Sequence, residues 1–302
     1  MATTLPSTED GLVYYYCSDE AFRAIVRRGT LRMSNIFHLN DGAEFLWAIQ
    51  QLCAHGDALS REYEGVNPES IEAAYRIESK GETDVSVVCF SQDDDDLSQW
   101  RGYGDDARGV AIGFNADYLL NECAMSFSMV PAFRGNVLAG EVLYVDDDGN
   151  IVAPNSMVGT SLLDFFRTSY DNHALAAVPR DHEAPFRSFV DNLLATGGLV
   201  KHDAFRHENE WRIIYHCFDA GTGGHPDAPD DERGLCTLSR RDGRHTPYYV
   251  LPFDPASAIA SLRLGPKHAE KGRHIALREF LRKEGLRDQV LQGIRDSRIP
   301  YR

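Results

Sequence analysis

The alternation of apolar and polar positions predicts that the chain opens with a strand, a helix and a second strand. Residues 13–17 are mostly aromatic or β-branched, which is typical of a strand. Apolar side chains at helical spacing follow, in a segment that Ser18 can cap and Gly29 can end. Residues 30–34 then have the pattern of a second strand, so both opening strands are short.

The same patterns predict a mixture of helices and strands along the rest of the chain. Strands are expected at residues 85–91, 109–114, 141–145, 207–215, 248–253 and 258–264. Helices are expected at residues 43–54, 68–79 and 270–284. Residues 155–200 are expected to form a helical insertion, and the charged residues after 289 a peripheral tail. We therefore predict one α+β domain over residues 1–302 with an inserted helical layer.

The strand at residues 207–215 is the most informative, because its pattern predicts charge on one face and a core on the other. Side chains alternate along a strand, so Glu208, Glu210 and Arg212 share a face, while Trp211 points to the core. Two carboxylates about 7 Å apart repel one another, and glutamate is a poor strand former. Either the two carboxylates converge on a substrate, or this is a solvated edge strand in which Arg212 neutralises its neighbours.

A second candidate region is the aromatic and glycine-rich stretch at residues 97–104. Trp100 and Tyr103 are three residues apart, so both can face the same way on a helical turn. They either stack on a planar ligand or form a hydrophobic plug under a loop. The preceding run, Asp93–Asp96, is interpreted as a solvated loop, because no ligands follow it at the spacing of a calcium loop.

Composition and charge limit the classes of function. The net charge of −15 over 302 residues argues against broad electrostatic binding to duplex DNA, although a local basic groove stays possible. No apolar run approaches the roughly 20 residues of a membrane helix, and residues 1–10 lack a signal pattern, so we expect a cytoplasmic protein without a membrane partner. The cysteines are scattered without C-x-x-C spacing, which favours free thiols and no metal site. No Rossmann glycine fingerprint is present, which disfavours hydride transfer.

These stretches, taken in order, resemble a bacterial family known as domain of unknown function 2971. The matching pieces are Val13–Ser18, Leu31–Asn35, Leu39–Glu44, Phe90–Ser91, Trp100–Gly104, Gly109–Ile112, Glu208–Arg212 and Leu264–Gly265. That family in turn resembles ADP-ribosyltransferases, including the DarT-type toxins that modify DNA. The resemblance covers most of residues 12–266. It implies a split, strongly bent β core of the ADP-ribosyltransferase type, with NAD⁺ held in the cleft between its halves.

The resemblance implies a mono-ADP-ribosyltransferase, with a toxin or an anti-phage effector as its biological role. Cleavage of the bond from nicotinamide to ribose passes through a cationic centre, as glycoside hydrolysis does. Glu210 is expected to stabilise that centre and Glu208 to orient or deprotonate the nucleophile, and the reverse assignment of the two roles stays open. Tyr15, Trp100 and Tyr103 are expected to form aromatic walls around nicotinamide.

The remaining ligand contacts are also implied by the resemblance. Ser34, Asn35 and Ser91 are expected to meet ribose or the carboxamide, and Arg32 or Arg101 the pyrophosphate.

Tyr15 stands where many members of the superfamily carry a histidine, and this departure keeps alternative functions open. One alternative is an NAD⁺ glycohydrolase on the same fold, and another is a catalytically inactive module that binds a nucleotide or a protein. The expected acceptor is a protein or a nucleic acid, single-stranded RNA or DNA included. An antitoxin or an activating phage protein is a further candidate partner, and no metal is expected.

Overall fold

The computed structural model describes residues 6, 8, 10–39, 42–54, 61, 84–124, 135–154, 157–171, 193–194, 196–217, 236–239, 243 and 245–301. These residues form a mixed α+β fold with a ten-stranded mixed sheet and a separate three-stranded sheet. The helix predicted at residues 68–79 and much of the helical insertion predicted at 155–200 lie outside the described residues.

The strands and helices are listed here with the labels used below. The strands are β1 Leu12–Cys17, β2 Thr30–Asn35, β3 Asp84–Ser91, β4 Val110–Asn115, β5 Gly135–Glu141, β6 Leu143–Val145, β7 Ile151–Ala153, β8 Val200–His202, β9 Glu210–Cys217, β10 Cys236–Ser239, β11 His245–Pro252, β12 Ile259–Leu264 and β13 Ile294–Asp296. The main helices are α1 Asp19–Arg28, α2 Gly42–Cys53, α3 Leu97–Gly102, α4 Leu162–Asp171, α5 Ile275–Lys283 and α6 Asp288–Gln292.

The predicted strand–helix–strand opening is confirmed as β1, α1 and β2. The Ser18 side chain caps α1 by accepting a hydrogen bond from the backbone N–H of Ala21 at 3.1 Å. Gly29 ends the helix in the left-handed region, with φ of 61°. A Cβ at Gly29 would lie 2.5 Å from the carbonyl oxygen of Phe253, so glycine is also required by close packing.

The large sheet branches at β3. One edge of β3 pairs with β9 along its whole length, from Asp84 to Ser91. The other edge pairs with β2 at Ser86 and Val87, and with β1 only at Ser91. Because β1 and β2 turn away from β3 across Val88–Phe90, the sheet is split at this point. We call this gap between β1, β2 and β3 the fork.

Strand β9 is central in the sheet and buried on both faces. It pairs with β3 on one side and β5 on the other, so the alternative of a solvated edge strand is wrong. Trp211, Ile213 and Tyr215 enter one hydrophobic core, as predicted, and Ile214 enters a second core on the opposite face. Arg212, which shares that second face with Ile214, is only 2 % exposed.

For two of the predicted elements, the structure shows why their bounds differ from the prediction. The strand predicted at residues 141–145 is broken at Val142, whose N–H donates to the carbonyl oxygen of Glu210 at 3.0 Å. The chain leaves the large sheet there, and β6 joins the small one. The helix predicted from residue 270 begins only at Ile275, because His274 before it has a left-handed φ of 54°.

The residues after 289 are integrated in the fold, and the prediction of a peripheral tail is wrong. Strand β13 pairs in parallel with β12 and extends the large sheet. Beyond it, Ser297 Oγ donates to Asp95 at 2.6 Å and the N–H of Arg298 donates to the same carboxylate at 2.8 Å. Trp100 Nε1 donates to Asp95 at 2.9 Å, so a single carboxylate fastens α3 to the end of the described chain.

The aspartate run at residues 93–96 is therefore a set of anchors, and its interpretation as a solvated loop is wrong. The Asp95 side chain is only 4 % exposed. Asp96 caps α3 by accepting a hydrogen bond from the N–H of Gln99 at 2.9 Å. Asp94 forms an ion pair with Arg263, a buried residue of β12. The partners Ser297 and Arg263 lie far from the aspartate run in sequence, so a local pattern cannot reveal these contacts.

We predict that Asp95→Ala lowers the free energy of unfolding by about 2–4 kcal/mol, because it leaves several donors without their buried acceptor. Urea unfolding at pH 7 measures the change. Asp148→Ala, at an exposed position, is the matched control and should change stability by less than about 0.5 kcal/mol. Equal stability of the two variants would show that the Asp95 contacts contribute nothing.

The contribution of Asp95 to stability should also depend on pH. Burial by itself raises the pKa of Asp95, but hydrogen bonds from Ser297, Arg298 and Trp100 bring it below its ordinary value. A lowered pKa in the folded state stabilises the protein above about pH 3.9, the pKa of an unfolded aspartate, and this stabilisation is lost at lower pH. The stability difference between the wild type and Asp95→Ala should therefore narrow below about pH 4.

Candidate functional site

A cavity of about 270 Å³ lies at the fork. Its lining includes the consecutive residues 14–16 of β1 and 87–91 of β3. Because successive side chains of a strand point to opposite faces, a cavity lined this way lies in the gap between strands and not over one face of the sheet. Residues of helix α3, of β2 and of the start of β9 also line the cavity, as do Leu39 and Tyr103.

The cavity brings together most of the residues predicted from sequence. Six of the nine line it, namely Tyr15, Arg32, Ser34, Ser91, Tyr103 and Glu210. The other three are Asn35, Trp100 and Glu208, and each is held elsewhere by contacts that sequence pattern does not show. Arg101, the alternative to Arg32, is exposed on α3 and is not a lining residue.

Trp100 is a buried plug and not an aromatic wall of the cavity. It is fully buried and packs edge-on against Tyr16, with ring centroids 4.7 Å apart. Tyr103 is 46 % exposed, so the prediction that these two rings face the same way is wrong. The reason is that α3 ends at Gly102, and Tyr103 lies beyond its last turn.

Asn35 is engaged in local structure. Its side-chain oxygen accepts a hydrogen bond from the N–H of Phe37 at 3.1 Å and lies 3.1 Å from His38 Nδ1. It thereby caps the short helical turn Ile36–His38 at the end of β2. The predicted contact with ribose or the carboxamide is not supported, because Asn35 does not line the cavity.

Glu208 is not on the strand that carries Glu210, and the prediction of a shared face is wrong. Residues 203–208 form a 3₁₀ turn, and Asn209 then adopts a left-handed φ of 46° before β9 begins. Asparagine tolerates this conformation better than most residues, but an alternating sequence pattern does not reveal it. The backbone carbonyl of Glu208 instead accepts a hydrogen bond from Ser91 Oγ at 3.0 Å.

Four buried or nearly buried charges form an ion cluster behind the cavity. Lys201 Nζ lies 2.6 Å from Glu208 Oε2 and 3.7 Å from Glu210 Oε1. Arg212 approaches Glu210 Oε2 with Nε at 2.8 Å and Nη2 at 2.6 Å. Its Nη1 donates to the carbonyl oxygen of Gly198 at 3.0 Å. The ion cluster, defined as Lys201, Glu208, Glu210 and Arg212, contains two cations and two anions.

The small sheet positions this cluster. Lys201 on β8 lies opposite Tyr144 on β6, so both side chains belong to the same face. The Tyr144 hydroxyl oxygen accepts a hydrogen bond from the N–H of Glu210 at 2.9 Å. Sequence reasoning missed Lys201, whose only signal was a lysine within the short apolar stretch before His202. A fully buried lysine is rare unless it is paired, as it is here.

The three consecutive tyrosines of β1 have different surroundings. The Tyr16 hydroxyl donates to the carbonyl oxygen of Asp93 at 2.7 Å, and the Tyr14 hydroxyl donates to Asp10 at 3.3 Å. The Tyr15 hydroxyl makes no hydrogen bond within the described part of the chain. Burial raises the pKa of Tyr15, so this phenol is neutral at physiological pH and can donate to a ligand.

Three further polar side chains line the cavity and can still bind a ligand. Gln99 is 6 % exposed, and its side-chain amide has no hydrogen-bond partner among the described residues. Arg32 is exposed and lies over the ring of Tyr248 at 5.0 Å, with no ion pair among those residues. Ser34 on β2 is half-buried. Sequence reasoning missed Gln99, because only the aromatic residues next to it, Trp100 and Tyr103, were considered as ligand contacts.

We predict that Lys201→Met destabilises the fold by about 3–5 kcal/mol, because it leaves buried carboxylates without their cation. Chemical denaturation of the variant measures the loss. The double variant Lys201→Met/Glu208→Gln removes one charge of each sign and should recover part of the stability. A double variant that is as unstable as the sum of the two single changes would contradict the coupling.

Two general properties of the described residues also bear on the site. They contain no group of three or more histidine, cysteine, aspartate or glutamate side chains that could hold a metal ion. No helix among them is both long and apolar enough to cross a membrane. Five cysteines are free thiols, as expected, namely Cys17, Cys53, Cys89, Cys123 and Cys236.

Comparison with known proteins connects part of this site to a family. Residues 99–213 match the family model described as Protein of unknown function (DUF2971). The matched segment runs from α3 to β9, so it contains the ion cluster but neither β1 nor β2. Neither the curated proteins nor the solved structures gave a match. The match supports the family resemblance read from the sequence, and residues 99–213 are similar to DUF2971.

Proposed function

We propose that the protein is an NAD⁺-dependent mono-ADP-ribosyltransferase that binds the nicotinamide–ribose half of NAD⁺ at the fork. One observation carries the proposal. A single cavity joins the carboxylate of Glu210 to the aromatic rings of Tyr15 and Tyr103, the hydroxyl of Ser34 and the cation of Arg32. A carboxylate, flat apolar walls and an anion-binding cation are what the reacting end of NAD⁺ requires.

The size of the cavity determines which part of NAD⁺ it accepts. Sites for drug-sized ligands occupy about 300–1,000 Å³, and this cavity is about 270 Å³. We therefore place only one half of the dinucleotide in the cavity. Arg32 is exposed, so a pyrophosphate that leaves the cavity at β2 meets its guanidinium, and the adenosine lies outside.

The chemistry follows from the bond that must break. The C–N bond between ribose C1′ and nicotinamide cleaves, nicotinamide leaves as a neutral molecule, and positive charge develops at C1′. The Glu210 carboxylate stabilises that charge. The acceptor nucleophile then bonds to C1′ from the opposite side and releases its proton to solvent. The Tyr15 hydroxyl is free to donate a hydrogen bond to ribose.

The contact between Glu208 and Lys201 changes the role assigned to the second glutamate. Its carboxylate lies 2.6 Å from Lys201 Nζ and does not line the cavity. Glu208 therefore supports Glu210 through the ion cluster, and the acceptor is activated by other means. The acceptor remains a protein or a nucleic acid in this proposal, and an antitoxin or an activating phage protein remains a predicted partner.

A second candidate function is a module that binds a nucleotide without cleaving it. The contacts of Glu210 favour this alternative, since Arg212 binds one carboxylate oxygen at 2.6 Å and Lys201 lies 3.7 Å from the other. Cations at these distances reduce the charge that Glu210 can offer to a developing cation. Saturable NAD⁺ binding without nicotinamide release is the expected behaviour of such a module.

For the transferase, Glu210→Gln should reduce the rate of NAD⁺ cleavage by about 10²–10³-fold, because it removes the charge that stabilises the transition state. The assay uses adenine-labelled NAD⁺ with a cell lysate that is afterwards separated into protein, RNA and DNA. Label in one fraction identifies the acceptor class. Label recovered only as free ADP-ribose instead supports a glycohydrolase, and intact NAD⁺ in every sample supports the binding module.

Glu208→Gln is the matched control for this experiment. It changes a neighbouring member of the same ion cluster but leaves every cavity-lining side chain in place. Most of the activity should remain, and urea unfolding of both variants separates loss of folding from loss of catalysis. A folded Glu210→Gln protein with full activity would refute the assigned role.

Tyr103→Ala should raise the KM for NAD⁺ by about 5–10-fold with a smaller change in kcat, because it removes an aromatic surface for the nicotinamide ring. Leu97→Ala is a close control. Leu97 lies on the same helix and is also partly exposed, at 37 % compared with 46 % for Tyr103, but it does not line the cavity. Steady-state kinetics on both variants test the prediction, and equal effects would contradict it.

A further inference from the structure

Gln99 lines the cavity with a side-chain amide that makes no hydrogen bond to the described residues. Its backbone is fully engaged, because its N–H donates to Asp96 and its carbonyl accepts from the N–H groups of Tyr103 and Gly104. Its side chain is 6 % exposed and lines the cavity without a partner among the described residues. This amide meets solvent in the cavity, so a ligand that displaces that solvent must replace its hydrogen bonds, and a ligand with matching groups is favoured over one without them.

The position of this amide is fixed by its neighbours in sequence. On one side of Gln99, Asp96 caps the first turn of α3. On the other side, Trp100 is fully buried, and its Nε1 donates a hydrogen bond to the Asp95 carboxylate at 2.9 Å. Helix α3 therefore cannot rotate without breaking those contacts. The fixed backbone on both sides keeps the Gln99 side chain at the wall of the cavity, within reach of a flat ligand.

The chemistry of the amide identifies the class of group that it recognises. A glutamine side chain offers a donor and an acceptor in one plane, so its complement is another coplanar donor–acceptor pair on a flat ring. A primary carboxamide and the N6/N7 edge of adenine both present that pair. A carboxylate offers acceptors only and would also be repelled by Glu210 in the same cavity.

We propose that Gln99 recognises the carboxamide of the nicotinamide ring. The assignment rests on the proposed function, which places the reacting end of NAD⁺ in this cavity. The cavity holds one half of the dinucleotide, and the half beside the Glu210 carboxylate is the half that reacts. Gln99 lines the same cavity, so the flat group within its reach is the nicotinamide ring and not adenine.

The first test compares ligands on the unmodified protein. Calorimetry or competition binding measures the affinities of nicotinamide, nicotinic acid and ADP-ribose. Nicotinic acid, which carries a carboxylate in place of the carboxamide, should bind about tenfold or more weakly than nicotinamide. Equal affinities of nicotinamide and nicotinic acid would refute the assignment, and this comparison does not depend on any variant folding.

The second test uses Gln99→Met, which keeps the side-chain length and removes both hydrogen-bonding groups. Nicotinamide should bind about tenfold more weakly to the variant. ADP-ribose, which lacks the nicotinamide ring, should keep its affinity within about threefold, and its retention shows that the variant is folded. Gln99→Glu, which replaces the donor with a second acceptor and adds a negative charge, should still accept a hydrogen bond from the nicotinamide N–H group and should bind nicotinic acid more weakly than the wild type does, because two carboxylates repel.

The other outcomes separate this inference from the proposed function. If Gln99→Met weakens ADP-ribose and leaves nicotinamide unchanged, the amide recognises adenine and the inference is refuted. If neither ligand is affected but the wild type still cleaves NAD⁺, the inference fails and the transferase stands. If nicotinamide binding depends on Gln99 but NAD⁺ is not cleaved, the inference stands and the transferase fails. A wild type that binds none of the ligands refutes both.

Discussion

A β-strand has two edges, and along Val88–Phe90 strand β3 uses only one of them for pairing. The other edge is left open because β1 and β2 turn away from it on either side of the gap. The uninterrupted ladder to β9 on the paired edge keeps β3 in place despite this loss. The candidate site depends on that asymmetry, since a fully paired β3 would leave no space between its strands.

The ion cluster gives the site a carboxylate at a position where burial alone would disfavour one. Removing charges from water costs several kcal/mol per ion, and close partners with good geometry offset this cost. Part of this cost is offset by the ion pair between Lys201 on β8 and Glu208 at the end of the following 3₁₀ turn. Arg212 supplies the rest from β9 itself, so the contacts that offset the burial of Glu210 also partly neutralise its charge.

Local sequence pattern was sufficient where neighbouring residues determine structure. The opening strand, the capped helix α1 and the core face of β9 with Trp211 follow from periodicity and from capping at Ser18. The residues whose surroundings were predicted wrongly or missed are placed by features that periodicity does not show. Glu208 is separated from β9 by one left-handed residue, Asn209. The buried state of Lys201 is set by strands that pair with its own, which no single segment encodes.

The hydrogen bond from Ser297 to Asp95 joins positions that are 202 residues apart in the chain. Ribosomes add about 5–20 residues per second, so Ser297 is made roughly 10–40 s after Asp95. During synthesis, therefore, α3 exists for that interval without one of the contacts that fasten it. The wall of the cavity that carries Gln99 and Tyr103 therefore receives one of its anchors only after all the residues that line the cavity have been made.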